Sequence, residues 1–312
     1  MNADKKEKLI SGFSHLRLSA FICGCIVFVG CRPKNPPTQP AYTGPTETMQ
    51  QVVQAINANN SRLPMLWARI GGTGLDIAYV DDKGKRQTQV LGGTLLYRAP
   101  QEVKLVGHHD LAGDVLVVGS NPNLYWLRVG THDDGQAWWG RYKYLGAECV
   151  EPIPIRPDLL LSVLGVSTVN VDLLADPVPV MRFNNRADAY MFIWSAHPQA
   201  TDHWVAVKEI WYDRATKRPK LVVLFDMVGR VTLEAHLSDH KPVQLPNVPL
   251  NQCPTVATVY DVSMPETKGH LRLKLLDVAL SERGAPNDVT FRFNPQSAGV
   301  PKVTQLDEAC GP

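Results

Sequence analysis

The chain has 312 residues, 44% of them hydrophobic and 20% charged, with a formal net charge of +2. That apolar stock excludes a disordered chain. The even spread of Lys and Arg, with only a short turn run at Lys83-Gly84-Lys85-Arg86 past the N-terminal region, excludes a nucleic-acid footprint.

Residues 1–30 read as a secretory signal peptide. Lys5, Lys6, Lys8 and Arg17 precede an uncharged apolar run from Leu18 to Gly30, the layout of an export signal. The run is short of the roughly 20 apolar residues that a spanning helix needs. Its end, Phe28-Val29-Gly30-Cys31, resembles the lipobox of bacterial lipoprotein precursors, and Ile22-Cys23-Gly24-Cys25 is a second, less favoured candidate. The resemblance implies a covalent lipid on Cys31 and attachment to a membrane, since two or more acyl chains suffice for stable anchoring. Residues 31–45 form a Pro-rich tether with prolines at 33, 36, 37, 40 and 45, an extended spacer reaching about 40 Å at about 3.1 Å per residue.

The folded domain is expected over 46–312, a length that β sandwiches and barrels fill undivided at about 250 residues. Thr46 to Asn60 places Met49, Val52, Val53 and Ile56 at helical spacing. Short Val-, Tyr- and Trp-rich segments follow at 75–80, 87–98, 102–107, 114–120, 124–129 and 137–145, with Asp133-Asp134-Gly135 as a hairpin turn and Gly71-Gly72-Thr73-Gly74 as another. A second helix, with Pro at its first turn and Gly at its end, spans 157–165. Strands resume at 178–183, 189–196, 204–213, 219–226, 230–238, 255–262, 271–280 and 289–294. The fold class is therefore mainly β with a little α: about a dozen antiparallel strands, curling as sheets of that size do, with the two helices as a lid.

Cys149, Cys253 and Cys310 remain beside the anchor cysteine, in a location that permits disulfides. Cys253 and Cys310, which bracket the last β segment, are the favoured pair, although spacing alone does not settle connectivity. No metal site is expected, because the cysteines lack short ligand spacing. The adjacent His108 and His109 would point to opposite faces of a strand. No nucleophile elbow, zincin helix or Walker loop occurs, and the expectation is no enzyme and no cofactor. Leu95, Tyr97, Trp67, Trp126 and Trp194 are instead candidates to line an apolar ligand cavity.

The order of elements resembles the LolA/LolB lipoprotein-carrier superfamily. Three stretches carry it: Gly93-Thr94-Leu95-Leu96-Tyr97-Arg98-Ala99-Pro100 with its return strand Glu102 to Leu105; Val118-Gly119-Ser120-Asn121 followed by Leu124-Tyr125-Trp126; and Leu271 to Leu275 followed by Phe291 to Pro295. The resemblance implies a half-open barrel with a helical lid, holding acyl chains inside. It also implies that Arg98, separated here from Pro100 by Ala99 where the family has the two adjacent, holds that lid from within. Together with the anchor it implies a tethered receptor for acyl chains of lipoproteins or lipids, expected to be a monomer, and Arg32 after the anchor, in place of the aspartate of inner-membrane retention, favours the outer membrane facing the periplasm. The alternative is a structural or docking lipoprotein with a filled core.

Overall fold

The computed structural model describes residues 42–80, 84–145, 147, 149–150, 157–197, 203–281 and 286–311. Cys31, the expected signal peptide and most of the expected tether lie outside the described residues, as do residues 81–83.

Helix α1 (Met49–Asn60) leads into β1 (Met65–Val80), β2 (Arg86–Arg98), β3 (Glu102–His109), β4 (Gly113–Ser120), β5 (Leu124–Val129) and β6 (Gln136–Arg141). Helix α2 (Pro157–Leu164) comes next. It is followed by β7 (Val178–Asn184), β8 (Ala189–Ala196), β9 (Val205–Asp213), β10 (Pro219–Phe225) and β11 (Val231–Ser238). The chain continues through β12 (Lys241–Pro242), β13 (Thr255–Val256), β14 (Val259–Met264), β15 (Gly269–Ala279) and β16 (Lys302–Gln305). Among the described residues fourteen strands make one sheet in the order β16-β6-β5-β4-β3-β2-β1-β15-β14-β11-β10-β9-β8-β7, while β12 and β13 pair separately. Every pairing is antiparallel except that of β16 with β6. The sheet is curled but not closed, with β7 and β16 as its edges.

Period-two alternation sends one set of side chains to an inner face. Leu66, Ala68 and Ile70 on β1, Leu95 and Tyr97 on β2, Val103 and Leu105 on β3, and Leu271, Leu273 and Leu275 on β15 all join one buried apolar cluster. Val52, Val53 and Ile56 of α1 and Val163 and Leu164 of α2 belong to the same cluster. Both helices therefore lie on the inner face.

The start of α1 is fixed by a capping box: the Thr48 hydroxyl accepts from the Gln51 amide while the Gln51 side chain reaches back to the Thr48 N–H. Its C-terminal half carries polar staples. The Asn57 side chain donates to Val169 O and accepts from Val169 N, each at 2.8 Å. Asn60 donates to Ser167 O at 2.8 Å, and Asn59 accepts from Thr255 N at 2.8 Å. These bonds join α1 to the chain after α2 and to β13.

The glycine run 71–74 is not the expected hairpin turn. It is a bulge inside the continuous strand β1: Ile70 pairs with Gly93 and Leu75 with Leu91, so four residues face one on β2. Such an insertion bends a strand. Across from it Gly93 has φ +148°, and a Cβ there would stand 1.8 Å from Val106 O. Only glycine fits this close approach in that conformation.

The C-terminal stretch departs most from expectation. The segment 289–294, read as a strand closing against 271–275, instead begins in a 3-10 turn, Asp288–Phe291, capped by the Asn287 side chain, and makes no ladder with β15. β15 pairs with β1 and β14, which leaves it no free side for a further strand. The chain then runs as a strap over the outer face and adds β16 to the edge. It is pinned by Asp307, whose fully buried carboxylate accepts from Arg141 N at 2.9 Å, Arg141 Nε at 2.8 Å and Gln305 at 2.8 Å. A disulfide joins Cys310 to Cys149, with Cα atoms 5.3 Å apart, and corrects the expected Cys253–Cys310 pair. Cys253 is free and buried, its thiol directed at the Val248 and Pro249 carbonyls.

Candidate functional site

The inner face and its helical cover form the first candidate site. Of the residues singled out from sequence, Leu95, Tyr97 and Trp194 lie there, with Leu95 fully buried. Trp67, Arg98 and Trp126 do not. On β1 the inward set is 66, 68 and 70, on β2 it includes 95 and 97, and on β5 it includes Leu127, so their neighbours in the alternation face outward.

Arg98 therefore does not hold the helices from within. It pairs with Glu102, meets Asp288 at 2.9 Å, donates to Pro286 O at 3.3 Å and lies 5.2 Å from the Phe291 ring centroid. Apart from Glu102 at the start of β3, its partners belong to the C-terminal strap, which it fastens to the end of β2. Trp126 is buried on the outer face, stacked on Phe293 at 5.5 Å between ring centroids.

Among the described residues the inner face is closely covered by buried apolar side chains. Among the described residues a pocket of about 60 Å³ lies under the cover, lined by Ser162, Gly165, Thr168, Trp194, Lys208 and Tyr212 among others. That is room for about two waters, and too little for an acyl chain. Burial pushes the Tyr212 hydroxyl up, keeping it neutral.

Lys208 is the residue that sequence reasoning missed here. Desolvation pushes its pKa down, and its ammonium lies 4.4 Å from the Trp194 ring centroid. Its charge is met by that ring and by no carboxylate within ion-pairing distance among the described residues. The sequence signal was a lone lysine among the apolar residues of 204–213, which a reading of exposed strands treats as solvated.

His108 contacts Asp114 at 3.1 Å, and both are exposed. No group of three metal-ligating side chains stands together among the described residues.

No known family's sequence model matches the chain, and no curated protein matches it. Solved structures do. A domain described as an outer membrane lipoprotein-sorting protein from Vibrio parahaemolyticus is 12% identical with a TM-score of 0.42, over 78% of this chain and 95% of that one. A LolA superfamily protein from Nitrosomonas europaea is 11% identical with a TM-score of 0.41, over 80% and 99%. A DUF1329 family protein from Desulfovibrio piger is similar to the same extent, at 9% identity and a TM-score of 0.43, over 79% of this chain and all of that one.

Proposed function

We propose that this protein is a non-catalytic lipoprotein of the cell envelope, tethered through a lipid on Cys31 and facing the periplasm from the outer membrane. It takes up acyl chains of lipoproteins or lipids between the inner face of the sheet and the helical cover. The observation that carries this reading is the continuous apolar inner face beneath a cover of two helices fastened by a few asparagine bonds. Lifting that cover exposes apolar surface, and each methylene buried in return contributes roughly 0.8 kcal/mol. Lys208 stands at the edge of the cover, where a carboxylate or phosphate at the end of an acyl chain would meet an otherwise uncompensated cation.

The closely covered inner face favours a second reading, in which the same sheet is a solid scaffold for docking other envelope proteins. Native mass spectrometry of the full chain, purified in a neutral detergent before and after organic extraction, separates the two. A bound acyl species lost on extraction, regained on adding lipid and retained less well by Lys208→Met supports uptake. An unchanged mass in the presence of added lipid favours the scaffold and overturns the carrier.

A further inference from the structure

We infer that the outer face of the sheet, under the C-terminal strap, carries a second binding site for a phosphate-bearing ligand with an apolar part. This site is separate from the inner face, and it stands whether or not acyl chains enter there.

The floor of the site is two cross-strand rows. Lys104, Gly119 and Trp126 lie side by side on β3, β4 and β5, and Val106, Val117 and Arg128 form the next row. Gly119 leaves space that the Trp126 ring fills, since a Cβ there would stand 2.2 Å from it. The roof is the strap, through Val289, Arg292, Phe293, Asn294 and Ser297. Between them is a groove of about 510 Å³, within the range of roughly 300–1,000 Å³ usual for small-molecule sites.

The groove carries an excess of positive charge. Lys104, Arg128 and Arg292 line it against one carboxylate, Asp114, which is already engaged by His108 at 3.1 Å. Arg128 donates from Nη2 to Asp114 O at 3.0 Å, while its buried Nε has no hydrogen-bond partner among the described residues. Burial and the Arg128 charge both push the Lys104 pKa down, against the pull of Asp114. Buried donors are ordinarily satisfied, and guanidinium groups are suited to the several acceptor oxygens of a phosphate. Val106, Val117, Val289 and Phe293 supply the apolar walls beside these donors.

The test is calorimetric titration of the full chain in a neutral-headgroup detergent. The probes are dihexanoyl phosphatidylglycerol below its micelle concentration, glycerol phosphate, and dihexanoyl phosphatidylcholine as a zwitterionic control. Saturable binding of the anionic probes is expected, at least tenfold weaker in Arg292→Gln, an exposed position whose change spares the fold, and in Lys104→Gln. An affinity for the lipid at least tenfold above that for glycerol phosphate assigns the site to a phospholipid headgroup. Equal affinities would overturn the apolar part of the inference and leave a site for the phosphate alone. No saturable binding of either anionic probe, binding of the phosphatidylcholine with equal affinity, or variants that bind as tightly as the natural protein would overturn the inference.

Discussion

At the residue scale, the single buried carboxylate that fastens the strap sets a pH dependence. Burial alone would push the Asp307 carboxyl up, but hydrogen bonds from Arg141 and Gln305 outweigh it and hold the group below the ordinary range. A depressed carboxylate contributes stability that is complete above its unfolded value of about 3.9 and fades as pH falls toward the folded value. Thermal melts should therefore show Tm dropping below about pH 4 more steeply for the natural protein than for Asp307→Asn. At neutral pH that substitution should destabilise by about 2–3 kcal/mol, because it leaves Arg141 without its charge partner. Equal slopes in the two proteins would show that another group governs acid unfolding. Arg98 illustrates the limit of a carried-over role: its type and position resemble the family pattern, but alternation on β2 points it away from the helices.

At the element scale, the cover is held by polar bonds more specific than its apolar packing. Asn57 makes two hydrogen bonds to Val169, and each such bond contributes about 1 kcal/mol net, with a larger loss where a partner is left buried. Asn57→Ala should lower stability by about 2–3 kcal/mol and, if the cover lifts to admit an acyl chain, speed uptake of a fluorescent fatty acid in stopped flow. Uptake that slows or stays the same would show that ligand does not enter beneath α1. Strand positions were legible in the sequence because their alternation is local: the segment expected at 102–107 is observed at Glu102–His109 and that at 124–129 at Leu124–Val129. Asn57, Asn59 and Asn60 were not legible as staples, since asparagines at a helix end read equally as a stop signal. The apolar spacing of Val289, Phe291 and Phe293 mimicked a strand, while Asn287 capping and the Arg98–Phe291 contact turn that stretch into a strap. The outer groove was hidden for the same reason, because alternation tells which face a side chain takes and says nothing of what later covers it.

At the scale of the whole molecule, an open sheet must protect its two edges. The β16 edge is pinned by the disulfide and Asp307. Among the described residues the β7 edge has no such strap, and it carries Pro179, which lacks a donor, beside an exposed Val180. Proline blunts an edge against pairing with another chain. Pro179→Val should therefore raise concentration-dependent self-association in light scattering, and an unchanged scattering profile would show that the edge is guarded otherwise. The sheet also has a seam. β2 to β6 and β7 to β11 are each built from neighbours in sequence, but the two halves meet where Trp67 of β1 pairs with Ala279 of β15. Those partners are roughly 200 residues apart, so at about 5–20 residues per second of synthesis β1 waits roughly 10–40 s for β15. Throughout that interval a bulged, apolar strand has one side unpaired in the nascent chain. The seam therefore closes late, and the strand that waits for it is the part of the unfinished chain most exposed to pairing with another chain.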